Sequence, residues 1–116
     1  MSSYKKVYQD WKNDPESFWM KAAEKIDWVR KPTKALNNKE APLYEWFTDG
    51  IVNTCYNAVD RHVENGRADQ SAIIYDSPVT GVKERISYAE LQKKIALLAG
   101  ALIKKGIQKG DRVIIY

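Results

Sequence analysis

Cysteine is almost missing from this sequence, which has Cys55 alone among 116 residues. A single cysteine cannot close an internal disulfide, and such scarcity is typical of a reducing compartment. Histidine is equally scarce, so any Ser-His-Asp or Cys-His arrangement would have to use His62. One cysteine and one histidine also give no ligand set for zinc. The sequence therefore predicts no catalytic, cofactor-binding or metal-ligating residue, and we expect Cys55 to be a buried small apolar side chain.

Long apolar runs are absent as well, and none approaches the roughly 18 residues that a membrane-spanning helix needs. The start of the chain lacks the apolar stretch of a signal peptide, and the acidic Asp10 and Asp14 argue against a transit peptide. We therefore expect a cytoplasmic protein with no membrane partner. The six glycines are scattered singly, so the sequence contains no glycine-rich phosphate loop.

Positively charged residues exceed negatively charged ones only modestly, and the formal net charge is +4. No block of lysine or arginine is dense enough for a nucleic-acid tail. The four Trp and seven Tyr could instead be read as base-stacking platforms beside lysines. They cluster at apolar helical positions, however, and core packing explains them better. We expect no nucleic-acid partner.

The first half of the chain predicts helices joined by a surface segment. A short helix is expected over residues 3–12, and a second should begin at Asp14-Pro15 and run to about Lys25, with Asp14 as its cap. Residues 30–42 read as a connector without its own core. Asp49-Gly50 predicts a turn, and a further amphipathic helix is expected from Ile51 to the stop signal at Asn65-Gly66.

The second half predicts a strand hairpin, a helix and a last strand. Ser71–Asp76 and Lys83–Ser87 should pair across a turn at 79–81. Ser87 and Glu90 form a capping-box pattern, followed by a helix with apolar positions Leu91, Ile95, Leu98, Ala99 and Leu102, and ended by Gly106. Arg112–Tyr116 predicts a buried parallel strand.

This order of elements is the opening of an α/β domain rather than a complete one. A chain that stops on an apolar strand leaves an edge uncovered, so we expect a truncated domain that self-associates through that edge. The consecutive Asp60, Arg61 and His62 are expected to have a structural role, pinning their helix to its neighbours, rather than a catalytic one.

Several stretches together resemble the AMP-forming acyl-CoA synthetases of the acetyl/propionyl type, which belong to the adenylate-forming superfamily. The opening resembles that family in Asp14-Pro15-Glu16-Ser17-Phe18-Trp19 and Ile26-Asp27-Trp28. The most distinctive similarity runs from Trp46-Phe47 through Gly50, Asn53 and Tyr56-Asn57 to Asp60-Arg61-His62. Ile86-Ser87-Tyr88-Ala89-Glu90-Leu91 and Gly110-Asp111-Arg112-Val113 are similar to the beginning of the large adenylation domain. Two segments, 53–62 and 75–81, look more like propionyl-CoA than acetyl-CoA synthetases.

The resemblance implies a helical N-terminal region over residues 1–66 and the truncated start of the AMP-binding domain over 67–116. For the full-length enzyme it implies a ligase that converts propionate or acetate, ATP and CoA to acyl-CoA, AMP and pyrophosphate with the help of Mg²⁺. The family's phosphate loop, ribose aspartate and catalytic lysine would all lie further along the chain. No cofactor is therefore expected on the fragment, and we expect the fragment to be inactive.

A different class of function stays open beside this one. The chain could be a self-sufficient small α+β interaction or oligomerisation module without enzymatic activity. Such a module needs a closed core, and the exposed strand expected at residues 112–116 argues against one. A nucleic-acid binder would need a steep salt dependence that the modest charge does not predict.

Overall fold

A computed structural model describes residues 3–115 of the chain. They divide into two compact units, one ending at Asn57 and the other beginning at Ala58.

Two helices open the first unit. Helix α1 spans Tyr4–Asn13 and helix α2 spans Pro15–Ala23. The Asp14 carboxylate accepts a hydrogen bond from the Ser17 N–H at 3.0 Å, so it satisfies one of the unpaired amides of the first turn of α2. This cap also lowers the pKa of Asp14, because the carboxylate form accepts from the Ser17 amide. Both predicted helices and the Asp14 cap are thus confirmed.

Four short strands follow and form two antiparallel pairs. Strand β1 (Trp28–Arg30) pairs with β4 (Ile51–Val52), and β2 (Leu36–Asn37) pairs with β3 (Glu45–Trp46). The predicted turn at Asp49-Gly50 is present, with the Gly50 N–H donating to Phe47 O at 2.9 Å. The first unit is therefore a mixture of helices and strand pairs rather than a purely helical arm.

The prediction that residues 30–42 lack a core is wrong. Ala35 is only 1% exposed, and Pro32 is also buried. Both backbone groups of Ala35 are paired, since its N–H donates to the Glu16 carboxylate at 2.6 Å and its carbonyl accepts from the Phe47 N–H at 2.8 Å. Paired backbone groups allow a loop to be buried without an unsatisfied polar atom, and the sequence alone does not reveal such partners.

The helix predicted from Ile51 begins later than expected. Ile51 and Val52 are in strand β4, as β-branched residues often are, and the chain becomes helical at Thr54. Asn53 marks this start, because its side-chain oxygen accepts from the Tyr56 N–H at 3.0 Å. The helical stretch includes a π-helical segment at Tyr56–Asp60, and its regular helical backbone is interrupted at Asn65 and Gly66. The predicted stop is confirmed, since Gly66 has a φ of +77°.

The second unit contains the predicted hairpin. Strands β5 (Ser71–Ser77) and β6 (Val82–Ser87) are antiparallel, with Ile74 opposite Arg85 and Asp76 opposite Lys83. The last pair is also an ion pair, with Lys83 Nζ 2.8 Å from the Asp76 carboxylate. The turn between the strands uses Gly81 with a positive φ of 68°.

Helix α3 (Tyr88–Lys104) follows directly, and both hydrogen bonds of the predicted capping box are present. The Ser87 hydroxyl accepts from the Glu90 N–H at 3.3 Å, and the Glu90 carboxylate accepts from the Ser87 N–H at 2.8 Å. The half-buried face of α3 includes Leu91, Ile95 and Leu102 as expected, whereas Leu98 and Ala99 are exposed.

The strand predicted at Arg112–Tyr116 is not formed over residues 112–115, and Tyr116 lies outside the described residues. A parallel strand exists only when a neighbour pairs with it, and no described strand does so. All strand pairs of residues 3–115 are antiparallel, so their arrangement is α+β rather than the predicted α/β. The edge expected to cause self-association is therefore absent from the described residues, and self-association stays a prediction.

Few side chains of either unit are removed from water. Among the described apolar residues only Ala23, Pro32, Ala35 and Val59 are buried, and no large side chain is fully buried. Many large apolar side chains are exposed instead, and these include Leu97, Leu98 and Ile103 of α3. Such exposure is unusual for a domain that folds around its own core.

Candidate functional site

The most organised surface of the first unit is a group of aromatic rings. Trp19 of α2 meets Trp46 of β3 edge to face, with ring centroids 5.5 Å apart. Trp46 lies beside Phe47, and Phe47 lies 5.6 Å from Trp28 of β1. Edge-to-face and tilted pairs at these separations are favourable beyond the area that they bury. The rings therefore connect α2, β1 and β3.

Backbone geometry fixes the position of Phe47 in this group. Its φ is +49°, in the left-handed region that bulky residues rarely adopt. The Phe47 N–H donates to Ala35 O, and Phe47 O accepts from the Gly50 N–H, so both of its backbone groups are paired. These bonds hold the unusual conformation, which places the Phe47 ring against Trp28.

Three of these rings, those of Trp19, Trp28 and Phe47, border an open apolar cavity of about 400 Å³, which we call the aromatic cradle. Its lining residues all belong to the first unit: Trp19, Ala22, Ala23, Ile26, Trp28, Phe47, Val52, Thr54 and Asn57. Trp19, Ile26 and Val52 are partly exposed there, at 37%, 39% and 43%. Apolar surface at the wall of an open cavity suits an apolar occupant.

Two polar side chains in the cradle already have hydrogen-bond partners. The Asn57 oxygen accepts from the Asp27 N–H at 2.9 Å, and its NH₂ group donates to Asp27 O and Asn53 O. The Trp28 indole N–H donates to Ala23 O at 2.8 Å. The Asn57 amide and the Trp28 N–H are thus hydrogen-bonded to the backbone and are not available to orient a polar ligand.

A carboxylate clamp closes the neighbouring loop. Asp49 accepts hydrogen bonds from the Thr33 hydroxyl at 2.6 Å and from the Thr33 N–H at 3.0 Å. Its own carbonyl accepts from Arg30 Nε at 2.7 Å. The Thr33 hydroxyl, followed by the Thr33 amide, lowers the pKa of Asp49 below its ordinary value. This clamp ties residues 30–33 to the turn that ends at Gly50.

In the second unit, the Asp60-Arg61-His62 segment makes structural contacts. The Asp60 carboxylate accepts from Gln92 Nε2 of α3 at 2.7 Å. The His62 ring packs against Tyr88 with centroids 4.8 Å apart, and its Nδ1 contacts the Arg67 guanidinium. Arg61 is half-buried beside them. Asp60 and His62 therefore connect the π-helical stretch with α3, as a pinning role requires.

Burial and the arginines act together on His62. Partial burial, then the positive charges of Arg67 and Arg61, lower the pKa of His62 below 6.5. Because a guanidinium can only donate, Nδ1 has to accept, so the imidazole is neutral with its proton on Nε2. The His62 imidazole is therefore neutral, packs against Tyr88 and uses Nδ1 to accept from Arg67, as expected of a structural residue.

Cys55 differs from its predicted environment. The prediction of a buried thiol is wrong, because Cys55 is exposed. The reason is the later start of the helix, which places Cys55 in its first turn rather than in the middle of an apolar face.

Within residues 3–115, no group of three or more His, Cys, Asp or Glu side chains could hold a metal ion. None of the helices in the described part is long and apolar enough to cross a membrane. The lack of catalytic, cofactor-binding and metal residues stays a prediction from the sequence.

Sequence reasoning missed the aromatic cradle. It identified the tryptophans as packing anchors, but it could not show that Trp19, Trp28 and Phe47 would border a single cavity. One local signal was available in Gly50, because glycine is often used where the backbone closely approaches another group.

Residues 4–58 match the protein family described as "Acetyl-coenzyme A synthetase N-terminus". Over these residues the chain is similar to the acetyl-CoA synthetase N-terminus, and the match includes most of the first unit and the whole aromatic cradle. Similarity to individual proteins continues through the second unit.

Human "Acyl-CoA synthetase short-chain family member 3, mitochondrial" is 53% identical over 115 residues, which are 99% of this chain and 17% of that protein. The rat protein of the same name is 55% identical over 103 residues, or 89% of this chain and 15% of that protein. "Acetyl-coenzyme A synthetase" of Burkholderia lata is 42% identical over 117 residues, which cover 100% of this chain and 18% of that protein. The chain thus spans about a sixth of the length of these curated relatives and corresponds to their N-terminal region.

Proposed function

We propose that this chain is part of an AMP-forming short-chain acyl-CoA synthetase and serves as its N-terminal structural region. The observation that carries the proposal is the 53% identity to a protein named as a short-chain acyl-CoA synthetase over almost the whole chain. In the complete enzyme, a small carboxylate would attack ATP to give an acyl-adenylate and pyrophosphate. The CoA thiol would then displace AMP.

The accessible surface supports the association of this region with further polypeptide. The chain exposes 10161 Å². A compact protein of 13.3 kDa is expected to expose about 6,500 Å², and two separate domains of half that mass about 7,800 Å². The excess of more than about 2,000 Å² matches the area that an obligate interface buries. We therefore expect this region to be covered by further polypeptide of the same enzyme.

ATP, CoA and Mg²⁺ are assigned to polypeptide outside the described residues. Residues 3–115 provide no cluster of carboxylates for Mg²⁺ and no glycine-rich loop for phosphates. No step of the reaction is therefore routed through them. Their proposed contribution is to hold the large domain in shape, with residues 1–66 as the N-terminal region and residues 67–116 as the beginning of the AMP-binding domain.

The parent gene tests this function directly. We expect the sequence after codon 116 to encode a Ser/Thr/Gly-rich phosphate loop ending in Pro-Lys-Gly. The protein encoded by the whole gene should convert propionate, ATP and CoA to propionyl-CoA, AMP and pyrophosphate in the presence of Mg²⁺. A stop codon after residue 116, or a product of ADP rather than AMP, would contradict the proposal.

The preference for propionate over acetate is a further part of the proposal. It rests on segments 53–62 and 75–81, neither of which contains an acyl pocket. The kcat/KM values for the two acids decide it, because their ratio measures the difference in transition-state binding. Cytoplasmic localisation stays a prediction, since several relatives carry "mitochondrial" in their names.

A self-sufficient interaction module is the second candidate. It is favoured only by the open cradle, which could receive a separate partner. The large exposed surface disfavours it, because an independent module would bury more of its own apolar side chains. The 116-residue chain is expected to release no pyrophosphate from ATP when tested alone.

A further inference from the structure

The aromatic cradle is an apolar receptor that the described residues do not fill. Its cavity of about 400 Å³ opens between α2, β1 and the start of the following helical stretch. Trp19, Ile26 and Val52 leave between a third and a half of their surface exposed at its wall. Concave apolar sites of this kind bind an anchor side chain well, because the anchor is fully desolvated on entry.

The cradle is also preorganised. Trp28 is fixed by its hydrogen bond to Ala23 O, and Phe47 is held by backbone bonds on both sides. Asn57 joins the cradle to Asp27 through two hydrogen bonds of 2.9 Å. A rigid receptor loses little conformational entropy when its occupant binds, so more of the apolar contact appears as net stabilisation.

The chemistry of the lining selects the kind of occupant. A nucleotide or a carboxylate needs several polar groups that fix its orientation. The Trp28 N–H and the Asn57 amide are already used, and the lining adds only the single hydroxyl of Thr54. The length of the relatives indicates where the occupant comes from. The chain spans 17% of the human relative, and the remaining polypeptide of a protein of that length would need a surface to pack on.

We propose that the aromatic cradle receives apolar side chains from the polypeptide that follows residue 116 in the parent protein, and that this contact anchors the N-terminal region to the remainder. The proposal rests on the proposed function for the existence of that polypeptide. The interaction surface is the aromatic cradle of the first unit and not the exposed face of α3.

Thiol labelling of the full-length protein tests the contact without reference to activity. Ile26→Cys is introduced in a Cys55→Ser background, and the labelled peptide is identified by mass spectrometry. The thiol at residue 26 should react at least about tenfold more slowly in the native protein than in urea, because the site opens only when the anchor leaves. Val52→Cys repeats the test from another wall of the cradle, in case one variant does not fold.

A matched control uses a polar position outside the cradle. Lys39 is exposed, and Lys39→Cys should react at nearly the same rate in the native and unfolded protein. Fast labelling of both cradle variants in the native protein would overturn the proposal. Protection that appears only at high protein concentration would also overturn it, since the occupant would then be a second copy. Protection that requires an added small molecule would do the same.

Photo-cross-linking identifies the occupant itself. A photoreactive phenylalanine analogue at position 26 should join the cradle to a peptide C-terminal to residue 116 within the same molecule. Cross-links only between molecules would overturn the proposal. An intramolecular cross-link in a protein that forms no acyl-CoA would support the contact while refuting the proposed synthetase activity, so the two failures are distinguishable.

Discussion

The indole ring of Trp28 lies against the backbone of Gly50 so closely that no side chain fits between them. A Cβ at position 50 would be 2.8 Å from Trp28 Cζ3 and 3.2 Å from Phe47 O. Trp28 cannot move aside freely, since its N–H is bonded to Ala23 O at 2.8 Å. Gly50 is therefore the residue that allows the wall of the aromatic cradle to form.

Replacing this glycine should disturb the first unit. Gly50→Ala is expected to lower the free energy of unfolding by about 1–3 kcal/mol, because the new methyl group must displace the Trp28 ring or the backbone. Thermal unfolding followed by circular dichroism measures the change. Tryptophan fluorescence should shift as well, because Trp28 loses its packed position.

Gly100 provides the matched control. It lies inside α3, and a Cβ there would meet nothing within 4 Å. Gly100→Ala should raise the free energy of unfolding by about 0.5–1 kcal/mol, because alanine has the higher helix propensity. An equal loss of stability in both alanine variants would show that crowding at Trp28 is not the cause.

The capping box at the start of α3 gives a second prediction. Ser87→Ala removes the hydroxyl that accepts from the Glu90 N–H, so stability should fall by about 1 kcal/mol. Ser87→Thr keeps an acceptor at the same position and should retain most of the stability. Urea unfolding of the two variants makes the comparison, and identical midpoints would argue against the cap.

The capped helices and the hairpin were predictable because their signals are local. Asp14 and Ser87 precede helices by the spacing that capping needs, and each makes the expected hydrogen bond. The hairpin of β5 and β6 is likewise indicated by a short apolar run, a glycine-containing turn and a second short segment that follows directly. In these elements every decisive contact joins residues close in sequence, so a single sequence contains the information.

The unpredicted features depend on contacts distant in sequence. Ala35 is buried because Glu16, 19 residues earlier, accepts from its N–H. Ile51 and Val52 form a strand because β1 offers an edge, and without that edge their apolar pattern equally fits a helix. The cradle needs Trp19, Trp28 and Phe47 from three separate elements. The apolar periodicity within one element cannot reveal contacts between separate elements.

Acid should weaken the carboxylate clamp, in which Asp49 accepts hydrogen bonds from Thr33. The Thr33 hydroxyl and amide lower the pKa of this carboxyl below its ordinary 3.8, so the unfolded state binds the proton more readily. The stabilisation is complete above the ordinary value and is lost as the pH falls through the folded value. NMR titration of Asp49 should show this lowered pKa, and Thr33→Val should move it upward.

Thr48 is the matched control for this titration, since it precedes Asp49 directly and is not one of the donors to its carboxylate described above. Thr48→Val should leave the pKa of Asp49 unchanged. A shift of the same size in both valine variants would mean that the lowered pKa does not come from the Thr33 hydrogen bonds.

The second unit should lose stability in a different pH window, through His62. Its pKa is lowered in the folded state, so between the folded value and the ordinary 6.5 the unfolded chain binds more protons. The contribution is fully present above pH 6.5 and decreases as the pH falls toward the folded value. Protonation of Nδ1 would break its contact with Arg67 and place two cations side by side, with Arg61 adding to the repulsion.

His62 is the only histidine, so a change in stability between about pH 7.5 and 5.5 can be assigned to it. The free energy of urea unfolding should decrease across this range, whereas in His62→Gln, whose side chain does not titrate, it should stay nearly constant. The carboxyls of Asp14, Asp49 and Glu90 do not interfere, because their lowered pKa values lie below this window. If the glutamine variant loses stability in parallel with the natural chain, protonation of His62 is not the cause, and its contacts with Tyr88 and Arg67 would have to be independent of charge.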